Sequence, residues 1–280
     1  MVRLVDDGYG KARVRLVRVR RATSEHELVD WTLSILFRGD FEKCFTDGDN
    51  SMILPTDTMK NTVYSMARRS EARSIEEFAT ELSRFFLDRN PQTAEVSIEI
   101  TERNWTPARV GGSPHPTTFV QSDQEVQTIR IVVYRSGQVK VEAGLRNLVI
   151  LKTAGSGFEG FAKDDLTTLR ETSDRLFGTQ IDCTWTYSAN ASQVHLLRPA
   201  IRESLVAKFA GHESKSVQHT LFAVAEAVLG QNPAVDEIHI IMPNRHCLLV
   251  DLRPFGQDNP NEVFVPIDEP HGYIEARVRR

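Results

Sequence analysis

The stretch Ser74-Ile75-Glu76-Glu77-Phe78 begins an amphipathic segment that ends at Arg89-Asn90-Pro91, and an alternating segment, Glu95-Val96-Ser97-Ile98, follows it. The same pattern recurs in the segments 216–220, 231–233 and 237–240. The two copies are offset by 142 residues, as 216 − 74 and 237 − 95 both show. A repeat of about half the chain length indicates two copies of one domain rather than a solenoid. We therefore predict a first domain over residues 1–136 and a second over 137–280.

Each copy presents the same order of elements, which is strand, strand, helix, helix, strand, strand. In the segment 27–37, large apolar side chains recur at every second residue, which is typical of a strand with one buried face. The first copy predicts strands at 9–20, 27–37, 94–105 and 117–121 and helices at 56–68 and 74–89. The second predicts strands at 126–134, 139–150, 181–187, 237–242 and 246–252 and helices at 200–210 and 216–229. This order predicts an α+β fold of two tandem domains, each an antiparallel four-stranded sheet with two helices on one face.

Local signals support these element boundaries. Ser74 can cap a helix with its hydroxyl while Glu77 reaches back, which is a capping box. The same helix has to end before Pro91, because proline lacks the N–H that a helix interior needs. The segment Arg135-Ser136-Gly137-Gln138 is a hairpin signal between two alternating runs. Long antiparallel sheets with open edges need cover, and pairing of sheets between subunits into a closed barrel is one solution.

Composition excludes several classes of protein. The chain has 280 residues, 40% of them hydrophobic and 26% charged, with a net charge of −4. This balance gives no basic field that would hold a nucleic acid, although the N-terminal third carries a run of basic residues that we interpret as a solvated or partner-facing strand side. That run comprises Lys11, Arg13, Arg15, Arg18, Arg20 and Arg21. No apolar run is long enough for a membrane span, and no secretory or peroxisomal signal is present. The three scattered cysteines favour free thiols, so we expect a cytoplasmic protein.

One glycine motif suggests a dinucleotide site. Residues 155–160 read Gly-Ser-Gly-Phe-Glu-Gly, they follow an apolar run, and a helix-like stretch at 164–177 comes after them. Asp182 even stands where a ribose ligand would be expected. The chain nevertheless lacks the alternating strand–helix series of a parallel sheet, and the motif follows a hairpin. A mobile loop near a ligand is the favoured interpretation of Gly155, Gly157 and Gly160, and a dinucleotide-linked oxidoreductase is disfavoured.

Other catalytic motifs are missing as well. The eight histidines form no His-x-His or His-Glu-x-x-His pattern, so we predict no metal site, and no Gly-x-Ser-x-Gly elbow supports acyl transfer. Several polar clusters remain, each with a plain structural explanation. Thr56 or Asp57 could cap a helix, Arg175 could bind a helix C-terminus, Gln218 could be an exposed helix residue, and 243–246 could be a turn. The spacing of these residues alone predicts a two-domain α+β protein and does not indicate its function.

Read together, these clusters resemble the urate oxidase family. The carriers are Tyr9-Gly10-Lys11, Pro55-Thr56-Asp57-Thr58-Met59-Lys60-Asn61-Thr62, Phe158-Glu159-Gly160-Phe161, Thr172-Ser173-Asp174-Arg175, Ser216-Val217-Gln218 and Pro243-Asn244-Arg245-His246. The resemblance extends in order over nearly the whole chain. It implies the tunnelling fold (T-fold), with the sheets of two subunits closing a barrel and two such dimers forming a homotetramer. It also implies oxidation of urate by O₂ and water to 5-hydroxyisourate and hydrogen peroxide, without any cofactor.

The resemblance also assigns roles to residues at matching positions. It implies a proton relay of Lys11, Thr56 and His246, acting through a water above the substrate ring. It implies a urate-binding set of Thr56, Asp57, Phe158, Leu169, Arg175, Val217, Gln218 and Asn244, with Asn244 holding O₂ or the attacking water. Phe158 would stack on the ring and Arg175 would present its planar fork to the ring edge. One subunit would supply Lys11, Thr56 and Asp57, and its neighbour the remainder, so each active site would lie at a subunit interface.

The sequence departs from the family pattern in two places, and one alternative function stays open. Pro55 precedes Thr56 where a small residue is expected, and a proline restricts the residue before it. The peroxisomal tail is absent from the last residues, which favours a bacterial-type cytoplasmic protein. The alternative is a non-catalytic purine- or pterin-binding protein of the same fold. The relay set discriminates between the two, because a protein that only binds a purine has no need of a proton relay.

Overall fold

The computed structural model describes residues 2–188, 191 and 193–280, and it divides into two compact units, Met1–Gly144 and Leu145–Arg280. Both units combine antiparallel strands with helices, as the α+β prediction requires. The domain boundary placed at 136/137 from the repeat stays a prediction.

The first unit is built around four long strands in the order β1-β2-β3-β4, each antiparallel to its neighbour. Its elements are β1 (Tyr9–Arg20), β2 (Glu27–Gly39), a short α1 (Glu42–Thr46), α2 (Thr56–Arg69), α3 (Ile75–Arg89), β3 (Thr93–Val110) and β4 (Ser113–Tyr134). The predicted strands 117–121 and 126–134 are one continuous strand, β4, because β3 extends far enough to pair along most of its length. The predicted hairpin follows β4, where Tyr134 N–H donates to Gln138 O and Gly137 adopts a φ of 90°.

Alternation along β2 explains how the first core forms. Trp31, Leu33 and Phe37 are fully buried, and the spacings of two and four residues place them on one face of this strand. They pack against the apolar face of α3, where Phe78 lies 5.0 Å from Trp31 between ring centroids. The predicted helix cap is confirmed, because Ser74 Oγ accepts a hydrogen bond from Glu77 N–H.

The second unit repeats this plan with the strand order β5-β6-β7-β10. Strand β5 (Val139–Lys152) begins before the unit boundary and ends within this unit. The remaining elements are β6 (Phe177–Tyr187), α4 (Leu197–Gly211), α5 (Val217–Gln231), β7 (Val235–Ile241), β8 (Asn244–Leu249), β9 (Phe264–Gly272) and β10 (Glu275–Arg279). Two short 3₁₀ helices lie at Val194–Leu196 and Arg253–Phe255. Strand β8 leaves the main order and pairs with both β6 and β9.

Three expectations for this unit need correction. No helix forms over 164–177, because Asp164 instead closes a turn by accepting hydrogen bonds from Leu166 N–H and the Thr167 hydroxyl. The segment 243–246 is not a simple turn, since Asn244 already begins β8. Strands β9 and β10 were not predicted at all. Polar and proline residues interrupt β9, so it shows no clean alternation for a sequence-based argument to use.

Candidate active site

The first group of candidate residues lies where β1 begins. Gly10 is required there, because a Cβ at this position would come within 1.8 Å of Ile35 O on the neighbouring strand. A bulge after Lys11 shifts the register against β2, and it contains Arg13 with a φ of 59°. The Tyr9 hydroxyl accepts a hydrogen bond of 2.8 Å from Leu54 N–H, which ties the segment before α2 to β1. Burial raises the pKa of Tyr9, so it stays a neutral phenol that can hold this contact.

Thr56 and Asp57 occupy the first turn of α2. Pro55 is the N-cap residue, and no side chain caps the helix, so the cap suggested for Thr56 or Asp57 is wrong. The Thr56 hydroxyl makes no hydrogen bond within the described part of the chain, and it is half-buried. Asp57 accepts hydrogen bonds from Lys60 Nζ at 2.5 Å and from Asn61 Nδ2 at 3.0 Å.

Charge links Asp57 to the start of β1. The hydrogen bond from Lys60 lowers the pKa of Asp57 most, and the positive charge of Lys11 lowers it further. Asp57 is therefore ionised at neutral pH and in electrostatic contact with Lys11. The structure thus brings Lys11, Thr56 and Asp57 to one place in the first unit.

In the second unit, the loop after β5 holds Phe158 through backbone contacts. Phe158 N–H donates to Thr172 O at 2.7 Å, and Thr172 N–H donates back to Phe158 O at 3.2 Å. Gly157 permits this pairing, because a Cβ there would lie 2.8 Å from Ser173 O. The glycine motif therefore has a structural role: Gly155 and Gly160 adopt left-handed φ values of 74° and 67°. No parallel strand–helix unit follows it in the part of the chain that the structure describes, and Asp182 accepts a hydrogen bond from Asn147 N–H, so the dinucleotide interpretation has no support in these residues.

Arg175 lies over the ring of Phe158. Its guanidinium carbon is 5.3 Å from the ring centroid, and its backbone N–H donates to Ser156 O at 2.8 Å. The Arg175 guanidinium donates no hydrogen bond within the described residues, so its fork is available to a ligand. Burial lowers the pKa of Arg175, although the group remains a cation at neutral pH. Its suggested role at a helix C-terminus is wrong, since it follows a loop.

Phe158 also stacks on a second aromatic ring. Phe161 lies 4.9 Å away between centroids, with an angle of 13° between the ring planes. Such offset pairs stabilise one another by about 0.5–1.5 kcal/mol, so Phe161 restricts the orientation of Phe158.

The N-terminus of α5 presents Val217 and Gln218. Ser216 caps this helix by accepting a hydrogen bond from His219 N–H, which leaves Val217 as the first helical residue. Gln218 is exposed and Val217 is buried. The preceding loop is tied to the Phe158 loop, because Gly157 N–H donates to Ser214 O and Ser214 N–H donates to Gly155 O. The two segments are thus held together by backbone hydrogen bonds.

Asn244 and His246 lie on β8, which pairs with both β6 and β9. Asn244 is opposite Thr179 and Gly272, and His246 is opposite Ile267. Burial lowers the pKa of His246 most, and the positive charge of Arg175 and the nearby His271 lower it further. His246 is therefore a neutral imidazole at pH 7, which can accept a proton. Its electrostatic contact with Arg175 places β8 beside the Phe158 loop.

The candidate residues fall into two groups, one in each unit. The first unit holds Lys11, Thr56 and Asp57; the second holds Phe158, Arg175, Val217, Gln218, Asn244 and His246. Leu169 lies in the loop between Phe158 and Arg175 and is 56% exposed. Among the residues that the structure describes, no three or more His, Cys, Asp or Glu side chains could together hold a metal ion.

Three residues that lie near these two groups were given no role by the sequence analysis. Lys60 binds Asp57, and its spacing of three residues on one helix is a signal that could have identified the pair. Asp174 accepts a hydrogen bond from Ser156 N–H and so holds the Phe158 loop. The charge of His271 lowers the pKa of His246. The two residues lie on the paired strands β9 and β8, and no sequence signal indicated this pairing.

Comparisons with known proteins identify the family of this chain. The family model for uricase matches residues 7–132 and 141–275. A uricase from Dictyostelium discoideum is 36% identical over 282 residues, covering 100% of this chain and 98% of the relative. A uricase from Arthrobacter globiformis is 40% identical over 275 residues, covering 97% of this chain and 88% of the relative. The crystal structure of the Arthrobacter globiformis uricase superimposes with a TM-score of 0.94, at 38% identity, covering 100% of this chain and 96% of that one.

A more distant structure agrees in fold alone. The urate oxidase of Bacillus sp. TB-90, as a hyperthermostable mutant, gives a TM-score of 0.85 at 22% identity, covering 99% of this chain and 100% of that one. Within the described residues, no helix is both long and apolar enough to cross a membrane.

The fold and these matches define a tunnelling-fold protein with two tandem α+β units. The chain belongs to the uricase family, the urate oxidases, which are oxidoreductases.

Proposed function

We propose that this chain oxidises urate with O₂ and water to 5-hydroxyisourate and hydrogen peroxide, without a metal or organic cofactor. The observation that carries the proposal is the half-buried Arg175 fork lying over the Phe158 ring, a pair suited to a flat anion with acceptors on its edge. The reaction balances, because one urate, one O₂ and one water give one 5-hydroxyisourate and one H₂O₂. A non-catalytic purine- or pterin-binding role is not favoured, since the full-length relatives are named uricases.

The binding residues would act through shape and hydrogen bonding. Phe158 would stack on the ring face, and Arg175 would donate two parallel hydrogen bonds to the ring edge. Gln218 would add an amide donor and acceptor, and Val217 N–H would add a donor at the free N-terminus of α5. Leu169 would pack beside the ring, and Asp57 would fix a ligand edge through its backbone.

The relay residues would move protons. We assign Lys11, Thr56 and His246 to this role, with Asn244 holding O₂ or the attacking water. The ammonium of Lys11 would lower the proton affinity of the Thr56 hydroxyl, which has no partner among the described residues. His246, neutral because its pKa is lowered, would take up the proton that the water loses on attack.

The active form would be a homotetramer, a dimer of dimers with each site at a subunit interface. The support is the division of the candidate residues, with Lys11, Thr56 and Asp57 in one unit and the other residues in the second. A two-fold interface would build two equivalent sites from these halves. We also propose a cytoplasmic location, since the described cysteines form no disulfide with one another.

The test is a direct assay of the purified full-length chain. Urate is followed by its ultraviolet absorbance in aerated, chelator-treated buffer with no added cofactor, together with O₂ uptake and H₂O₂ release. The proposal requires equal amounts of urate lost, O₂ consumed and H₂O₂ formed. Activity that disappears on chelation and returns with a metal would overturn the cofactor-free part, and absence of urate loss would overturn the whole.

A further inference from the structure

The arginine-rich end of β1, which the proposed chemistry does not use, borders a cavity of about 640 Å³ in the first unit. The cavity lies between the β1–β2 turn and the segment joining α2 to α3. Five arginines line it, namely Arg18, Arg20, Arg21, Arg68 and Arg73, against three glutamates, Glu25, Glu27 and Glu71. The lining is therefore net positive by two charges, in a chain whose overall net charge is −4.

Two of these arginines form the inner wall. Arg18 donates to Ala67 O, Ser70 O and Ala72 O, and Arg20 donates to Ser70 O and Ala72 O. Both guanidiniums are half-buried side by side, and Arg18 Nε is buried without a hydrogen-bond partner. Burial and the neighbouring charge of Arg20 lower the pKa of Arg18. Arg20 pairs with the exposed Glu27 at 3.8 Å, whereas Arg18 has no carboxylate within ion-pair distance among the described residues. Two half-buried cations on the same carbonyl acceptors, with one carboxylate partner between them, favour the binding of an anion.

The other three arginines form the outer rim. Arg21, Arg68 and Arg73 are exposed, and their guanidiniums have no hydrogen-bond or ion-pair partner within the described part of the chain. Their forks carry five donors each, which suit the tetrahedral oxygens of a phosphate better than a point charge would. The cavity volume falls within the usual range of small-molecule sites, so it can hold more than a free ion.

We propose that this cavity binds a phosphate group, either as free phosphate or as the monoester of a small molecule. The dianion would be held by the rim arginines Arg68 and Arg73 and would offset the paired charges of Arg18 and Arg20. The three glutamates would repel long polyanions at the edges of the cavity. Because such an anion joins the β1–β2 turn to the α2–α3 segment, its binding stabilises the folded first unit.

The experiment measures thermal unfolding of the full chain against increasing inorganic phosphate, with chloride keeping the ionic strength constant. Ribose 5-phosphate and ribose form the second arm, chosen because they lack a purine ring that could enter the urate site. We expect a saturable rise in Tm with phosphate and with ribose 5-phosphate but not with ribose. A tighter apparent Kd for ribose 5-phosphate identifies the ester as the ligand, and equal values identify free phosphate.

Variants separate a specific site from general salt effects. The double variant Arg68→Gln/Arg73→Gln leaves the inner wall intact, and we expect its apparent Kd to weaken by at least about 10-fold, since each lost contact is a charge-assisted hydrogen bond. Arg84→Gln removes one arginine charge from an exposed position on α3 outside the cavity, and it should retain the wild-type response. An equal rise in Tm for all three proteins, or no saturable rise in the wild type, overturns the proposal. Urate oxidation is a separate readout, so its failure would not affect this result.

Discussion

Arg175 and Phe158 are in cation–π contact, with the guanidinium carbon 5.3 Å from the ring centroid. The pair is held by its backbones, since Arg175 N–H donates to Ser156 O and Phe158 exchanges two hydrogen bonds with Thr172. The backbones of both residues are therefore held in place, which would orient the two side chains before the proposed ligand arrives. Preorganisation of this kind reduces the entropy that binding would otherwise cost.

Arg175→Lys should raise the KM for urate strongly while changing kcat much less. A lysine ammonium cannot donate two parallel hydrogen bonds to a ring edge, and loss of one charge-assisted hydrogen bond costs roughly 1.5–3 kcal/mol. Steady-state kinetics with urate would then show KM higher by about 10- to 100-fold. Arg170→Lys is the matched control, because Arg170 is exposed in the same loop. An unchanged KM in Arg175→Lys would mean that Arg175 has only a structural role.

His246→Ala and Lys11→Ala should lower kcat much more than they raise KM. Positioned acid–base groups contribute about 10²–10⁴-fold in rate, and that contribution is lost when either group is removed. Stopped-flow or steady-state assays at saturating urate would measure the loss. His115→Ala, at a partly exposed position, and Lys43→Ala, at an exposed one, serve as controls. A variant that kept its kcat and lost only affinity would contradict the relay assignment for that residue.

The acid limb of the pH–rate profile should respond to His271. Burial, Arg175 and His271 together keep the pKa of His246 below its ordinary value of 6.5, so the imidazole stays neutral and active at pH 7. His271→Asn removes one of the two neighbouring positive charges, which should raise the pKa of His246 and move the acid limb of kcat to higher pH. An acid limb at the same pH in His271→Asn as in the wild type would show that a group other than His246 controls it.

The same lowered pKa predicts a pH dependence of stability. The unfolded chain protonates His246 at higher pH than the folded chain does, so the unfolded state binds more protons as the pH falls below about 6.5. The free energy of unfolding should therefore decrease on acidification through that range, and His246→Gln should reduce the decrease. Urea titrations at several pH values would measure it.

The sequence predicted the elements with strong local signals and missed those that depend on distant pairing. The alternating residues of β2, the cap at Ser74 and the glycine of the hairpin were all identified correctly because each is a local constraint. The helix-like stretch at 164–177 forms no helix because Asp164 closes a turn, and side-chain hydrogen bonds of this kind compete with helix formation. Strands β9 and β10 form only through pairing with β8 and β7, which no local signal can reveal.

The candidate site also depends on contacts between segments, which local sequence signals do not reveal. Gly10 and Gly157 are required by close backbone approaches that only the folded chain displays. The contact of Arg175 with Phe158 joins residues on either side of a long irregular loop, so spacing alone suggested a helix C-terminus for Arg175 instead. The resemblance to a family identified Arg175 and Phe158 as candidate site residues, whereas hydrophobic periodicity and capping rules could not.

The division of the candidate residues between the two units predicts the outcome of subunit mixing. If one subunit supplies Thr56 and its neighbour supplies Arg175, then Thr56→Ala and Arg175→Ala are each nearly inactive as homo-oligomers. A mixed dimer carries one site with both lesions and one with none. Co-refolding equal amounts makes about half of the dimers mixed, each with one of two sites intact, so activity should return to about a quarter of wild type. Mixing the folded proteins without dissociation should restore little. If mixed dimers form, as shown by two different affinity tags purified in tandem, and activity stays at the single-mutant level, then Thr56 and Arg175 act within one subunit and the shared-site proposal is wrong.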